Sequence, residues 1–183
     1  MLCYNFMHWG CRVGRTSYEV PIRGGALSSA FDMEKWDNTP APSETAPPSI
    51  EETWANLAYF LEKVMPVAEE AGVLLAMHPD DPPIAVLRGY NRIMNTEEDF
   101  ARLLSINSSR NNGLCLDVSL WGLMGANVPE AIRRHGDRIH FVHFRDVEGT
   151  REKYTEVFHD EGMSDHVEAS QTPYVAAHER HPS

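Results

Sequence analysis

The stretch Leu74-Leu75-Ala76-Met77-His78-Pro79-Asp80-Asp81-Pro82-Pro83 decides how this chain folds. An apolar run stops abruptly at a histidine, two carboxylates and three prolines. Residues 73–77 are too few for a helix and read as a buried strand. Pro79 forbids helix and pushes His78 into extended backbone. His78 therefore stands at the C-terminal tip of a strand, where α/β folds collect their functional groups. Two later apolar runs end the same way, Gly113-Leu114-Cys115-Leu116-Asp117 and Ile139-His140-Phe141-Val142-His143. Packing alone does not call for ligand-type residues at three strand ends.

Working outward, Ser49-Ile50-Glu51-Glu52 is a capping box that opens a helix. Ile50, Trp54, Leu57, Leu61, Val64 and Ala68 give that helix one apolar face. Gly72 ends it, and Pro66 is expected to kink or divide it. Residues 96–106 read as a second helix, capped by Asn95 or Thr96, with Glu97, Glu98 and Asp99 complementing the dipole. Asn127-Val128-Pro129-Glu130 opens a third, which Gly136 ends. Strands are expected at 2–7, 73–77, 113–118, 138–144 and 154–158, with a short one at 92–94. Residues 8–25, with Trp9, Arg12 and Arg15, read as loop, as do 79–90. Residues 38–48, with Pro40, Pro42, Pro47 and Pro48, read as an extended connection.

Strands alternating with helices mean an α/β fold with a parallel sheet and outer helices. No G-x-G-x-x-G or P-loop occurs, so a nucleotide-binding sheet has no support. A (β/α)8 TIM barrel fits, but a complete one needs eight strands and about 250 residues. The expectation is a partial barrel over residues 1–165, with a divergent, irregular tail at 166–183 and both ends resembling cuts.

A net charge of −11 disfavours nucleic acid and anionic membranes as partners. No apolar run approaches the roughly 20 residues that span a bilayer. The N-terminus lacks the basic and apolar segments of a signal peptide. Cys3, Cys11 and Cys115 form no C-x-x-C pair, so the expected setting is a reducing cytoplasm.

His78, Asp117 and His143 at three strand ends form a mixed nitrogen and oxygen set suited to Mn2+ or Fe2+. Cys115 shares a face with Asp117, although a small buried hydrophobe explains it equally well. Asp80 and Asp81 read either as partners of the ligands or as loop caps. His140 and His143 are three apart on a strand and should face opposite sides. His143 shares its face with Arg145 and lies nearer the strand end, which leaves His140 to packing or the surface. Arg145 could hold a substrate carboxylate, or pair at the surface with Asp146 or Glu148. His159-Asp160-Glu161-Gly162 could add an acid or base, or be an ordinary turn.

At these residues the chain resembles the mannonate dehydratase family, a branch of the xylose-isomerase-like barrels. The resemblance rests on Cys3-Tyr4-Asn5-Phe6-Met7, Arg15-Thr16, Arg23-Gly24-Gly25-Ala26, the 76–83 stretch, Arg88-Gly89 with Arg92-Ile93, residues 138–146, and Phe158-His159-Asp160-Glu161-Gly162. It implies metal-dependent dehydration of D-mannonate, a small sugar acid, to 2-keto-3-deoxy-D-gluconate in hexuronate breakdown. It implies Arg15, Arg88 and Arg145 as substrate-binding groups, with His159 and Arg145 as catalytic ones. Three departures stand out. The family places a metal-binding cysteine where this chain has Asp117. Its two opening strands have no counterpart before Met1. Its closing Arg-Pro-Asp-His run is absent, His178 and His181 do not replace it, and the resemblance fades after Asp165. The chain alone is therefore expected to be inactive. An open barrel would also invite association, including a homo-oligomer. A sugar epimerase or isomerase on the same barrel, and a non-catalytic remnant, are the competing readings.

Overall fold

A computed structural model of the chain describes residues 1–8, 14–40 and 46–172. The readings that touched Trp9, Cys11, Arg12, Pro42, His178 and His181 lie outside the described residues. In chain order the elements are β1 (Leu2–Tyr4), β2 (Ser17–Pro21), β3 (Leu27–Asp32), α1 (Ile50–Glu70), β4 (Leu75–Met77), β5 (Val86–Leu87), β6 (Tyr90–Asn91), α2 (Glu97–Ile106), β7 (Asn112–Asp117), α3 (Val118–Leu123), α4 (Val128–His135), β8 (Ile139–His143), β9 (Asp146–Thr150), β10 (Lys153–Val157) and α5 (His166–Gln171).

The capping box forms as its residues dictate. Glu52 N–H donates to Ser49 Oγ at 3.2 Å, and Ser49 N–H donates to the Glu52 carboxylate at 2.8 Å. Helix α1 buries Trp54, Leu57, Leu61, Met65 and Ala68 on one stripe. Ile50 is 42% exposed, and Met65 rather than Val64 takes the deepest place one turn after Leu61. Pro66 does not divide the helix, which runs unbroken to Glu70. The carbonyl that proline leaves without a donor belongs to Glu62, on the exposed side, where water can serve it. Gly72 then turns the chain at φ +63°, a left-handed conformation that favours glycine. Thr96 and Asp99 form a second capping box on α2.

Strands β1, β4, β7 and β8 form one parallel sheet in that order. Leu75, Met77, Leu114 and Leu116 face outward into a core with Leu57, Leu61, Phe100, Leu103 and Trp121. Each such side chain contributes about 1.5–3 kcal/mol by leaving water. The opposite, inner face carries Cys3, Ala76, Gly113, Cys115, Asp117 and His143, by register and alternation. This curled parallel sheet under outer helices is the expected part of a (β/α) barrel.

The reading of His140 needs correction. A register irregularity lies where β7 meets β8, between Leu114 and Cys115. The His140 ring fills the space that a Cβ on Gly113 would occupy, 2.3 Å from its Nδ1, and that nitrogen lies 2.9 Å from Leu75 O. The bulge therefore turns His140 to the same inner face as Cys115, and strict alternation fails.

A second sheet was not expected. Strands β2, β3, β10 and β9 pair antiparallel in that order. Residues 17–21, read as loop, form its edge, and residues 154–158 fall in this sheet rather than the parallel one. Its apolar contribution is small: Phe31, Val147 and Tyr154 pack on Leu120 and Leu123 of α3. The 79–90 loop contains the hairpin β5–β6, and 92–94 is not a strand. Arg92 is instead buried, donating to Pro82 O at 2.6 Å and Asp81 O at 3.2 Å. Residues 166–171, expected to be irregular, form helix α5, capped by Asp165 and anchored by buried Ala169. No helix among the described residues is long and apolar enough to cross a membrane.

Candidate metal centre

His78, Asp117 and His143 meet at the C-terminal ends of β4, β7 and β8. One donor atom from each lies within 4.8 Å of the other two. His78 Nε2 is 3.0 Å from His143 Nδ1 and 3.7 Å from Asp117 Oδ2, and His143 Nδ1 is 3.5 Å from the same oxygen. His78 is fixed by backbone: its N–H donates to Tyr4 O at 2.7 Å. Its Nδ1 lies 2.7 Å from Pro79 O, an atom that can only accept. With Nδ1 engaged by the Pro79 carbonyl, Nε2 is the ring nitrogen that faces Asp117 and His143. Asn5, two residues beyond Cys3, adds its amide to Pro79 O at 3.4 Å.

The carboxylate of Asp117 does two jobs. Oδ1 caps α3, accepting from Leu120 N–H at 3.0 Å and Ser119 Oγ at 2.7 Å. Oδ2 faces the histidines and accepts from Arg145 Nε at 2.9 Å. Burial pushes this carboxyl up, yet the hydrogen bond from His78, the Arg145 charge, and the Leu120 and Ser119 donors outweigh burial. The group is held well below the usual carboxylate range.

Around this set lies an ion-pair network that draws on the antiparallel sheet. Asp81 accepts from Arg15 Nη1 at 3.0 Å, Arg15 Nη2 at 2.8 Å, Arg145 Nη2 at 3.1 Å and the Tyr154 hydroxyl at 2.6 Å. Glu156 accepts from Arg15 at 2.9 Å and also from Arg145. Burial raises the Asp81 carboxyl, but Arg15, Arg145 and Tyr154 together hold it below its ordinary value. Three carboxylates, of Asp81, Asp117 and Glu156, against the two guanidiniums of Arg15 and Arg145 leave one negative charge over among these five groups. That excess, with two imidazoles and a carboxylate converging, fits a divalent cation.

The structure thus brings His78, Asp117, His143, Arg145 and Arg15 together. Arg145 is no surface partner of Asp146 or Glu148; it bridges Asp117, Asp81 and Glu156. Asp80 belongs to the loop instead. It is buried, accepts from Met94 N–H at 2.8 Å and lies 3.5 Å from Arg92 Nε. His159 is exposed, with Nε2 2.6 Å from Phe144 O and its ring stacked on Phe144. Arg88 is tied to the 38–40 segment through Asn38 and Thr39. Neither touches the donor set. Sequence reasoning missed Asn5, Tyr154 and Glu156. Period-two alternation puts Asn5 on the face of Cys3, whereas nothing within β10 itself signals Tyr154 or Glu156.

The sequence pattern of the D-mannonate dehydratase (UxuA) family matches residues 48–179, past the Asp165 where the resemblance was expected to fade. A mannonate dehydratase of Oceanobacillus iheyensis is 34% identical over 172 residues, 80% of this chain and 48% of the relative. One from Thermotoga neapolitana is 46% identical over 109 residues, 56% of this chain and 29% of the relative. The crystal structure of mannonate dehydratase from Streptococcus suis serotype 2 superposes with a TM-score of 0.78 at 31% identity, covering 94% of this chain and 52% of that one. The IolI protein, solved with a bound zinc atom, shares the fold at a TM-score of 0.50 and 24% identity, over 71% of this chain and 45% of its own. The chain spans about half the length of the first of these relatives. With the family pattern running through α1, the parallel strands β4, β7 and β8, and α5, this chain belongs to the D-mannonate dehydratase family.

Proposed function

We propose that this chain carries the metal-binding part of a D-mannonate dehydratase centre, with His78, Asp117 and His143 holding Mn2+ or Fe2+. The convergence of these three donors from adjacent parallel strands carries the reading. His78, Asp117 and His143 would hold the ion, which would supply positive charge against the negative charge that builds when the proton beside the carboxylate leaves. Arg145 and Arg15 present guanidinium forks beside the donors, already gripping carboxylates. A sugar-acid carboxylate would compete for the same forks in bidentate geometry. Dehydration also needs a base for the proton next to the carboxylate and an acid for the departing hydroxyl. His159 is our candidate for one of these roles, and Arg88 for a substrate contact at the rim. The family's Arg-Pro-Asp-His run has no counterpart in this sequence, so we expect binding without turnover from this chain alone.

The test titrates Mn2+ and then D-mannonate into the chain, with an assay for the keto-deoxy acid. Mn2+-dependent mannonate binding without product is the expected result. Product formed by this chain would overturn the no-turnover part, and absence of Mn2+ binding would overturn the metal part. A second reading, a sugar epimerase or isomerase, is favoured by Asp117, a carboxylate where the family has cysteine. It predicts an epimer or isomer and no keto-deoxy acid. The unbonded thiols of Cys3 and Cys115 suit a cytoplasmic setting. The outer edges of β1 and β8 are unpaired among the described residues, which supports self-association.

A further inference from the structure

We propose a second metal position on the inner face of the parallel sheet, built from Cys3, Cys115 and His143 and suited to a thiophilic ion such as Zn2+. Donor atoms of these three residues also lie within 4.8 Å of one another. The register explains why the thiols meet although their strands are not neighbours. Cys3 on β1 pairs with Ala76 on β4, which pairs with Gly113 on β7, two residues before Cys115. Ala76, on the strand between them, presents only a methyl group to that face. A large side chain at position 76 would part the two sulfurs. Both cysteines are free thiols in the structure. The ring of His143 is set edge-on to Phe141, with centroids 5.1 Å apart.

The two donor sets differ in kind. His78, Asp117 and His143 offer nitrogen and oxygen, whereas Cys3, Cys115 and His143 offer two sulfurs and a nitrogen. Sulfur-rich tetrahedral sites favour Zn2+ and its soft analogues, and oxygen and nitrogen sites favour Mn2+. Cys115 lies two residues, about 6.6 Å, further down β7 than Asp117. Three protein ligands leave a fourth position of the tetrahedron open. The two thiols give up their protons to solvent on coordination. His143 belongs to both sets, so the two occupancies exclude each other. A thiophilic ion would then act as an antagonist of Mn2+ binding without touching His78 or Asp117. This inference does not depend on the mannonate reading.

The test uses Co2+ as a spectroscopic probe, added anaerobically to the chain with Cys11 replaced by serine. A thiolate-to-cobalt charge-transfer band in the near ultraviolet is expected, and Zn2+ should bleach it. The band should vanish in Cys115→Ser and in Cys3→Ser and persist in Asp117→Ala. Cadmium NMR on the same chain, with Cys3 and Cys115 intact, gives a readout that does not depend on how those two variants fold; a shift in the range of two sulfur ligands is expected. Prior loading with Zn2+ should abolish Mn2+ binding seen by electron paramagnetic resonance. A missing charge-transfer band, a band that survives loss of both thiols, or a cadmium shift typical of oxygen and nitrogen ligands would overturn the site. Simultaneous Zn2+ and Mn2+ binding would overturn the exclusion. Thiolate bands without any Mn2+ binding would leave this inference standing and sink the Mn2+ site instead.

Discussion

The parallel and antiparallel sheets of this protein are built on different physics. The parallel sheet rests on apolar burial, with Leu57, Leu61, Phe100, Leu103 and Trp121 covering its outer face. The antiparallel sheet has a short apolar patch and exposed outer strands, and it meets the parallel one through charges. Arg15, Tyr154 and Glu156 reach Asp81 and Arg145 across that junction. The parallel sheet carries the candidate donors, and the antiparallel side adds Arg15, Tyr154 and Glu156 to the charge network beside them. A fold can thus be carried by one region while the electrostatics of its site come from another.

Substitutions at the two regions should separate these contributions. Leu61→Ala, deep on the outer face of the parallel sheet, should cost about 3–4 kcal/mol in chemical denaturation, with little dependence on salt. Asp81→Asn, at the junction, should cost on the order of 3 kcal/mol, because it removes the carboxylate that Arg15 grips with both Nη atoms and leaves the two guanidiniums only Glu156 and Asp117. Its acid profile should differ as well. Asp81 is held below its ordinary value, so its stabilisation is in place above about pH 4 and is lost as pH falls through the lowered folded value. Asp81→Asn should flatten that acid limb, and an unchanged limb would remove Asp81 from the network's energetics.

Gly113→Ala sharpens the comparison on the inner face. A Cβ there would meet His140 Nδ1 at 2.3 Å and Arg138 O at 2.4 Å, so a loss of about 2 kcal/mol is expected by thermal unfolding. The smallest effect belongs to Ser49→Ala, which removes one half of the α1 capping box for about 1 kcal/mol.

The parallel region was legible because its signals are local. Capping residues, helical spacing and short apolar runs ending in His78, Asp117 and His143 need no partner to be read. The antiparallel sheet was not legible for the converse reason. Ser17-Tyr18-Glu19-Val20-Pro21 carries little apolar content, and its strand state comes from pairing with β3. The inward turn of His140 follows from a register shift between β7 and β8, which no spacing within one strand announces. Pro66 misled because helix interruption depends on whether the freed carbonyl can find water. In the site, the three ligand candidates were found from strand ends. Glu156 and Tyr154 were missed because their role exists only where two sheets meet.

The most direct test of the metal centre is Mn2+ binding by isothermal calorimetry, run on this chain and on Asp117→Asn. Asparagine keeps an oxygen to cap α3 while removing the charge that faces His78 and His143. Measurable binding by the parent chain and a loss of it in the variant are expected. Equal affinities in the two proteins, or no binding by the parent, would contradict the assignment of His78, Asp117 and His143 as a metal site.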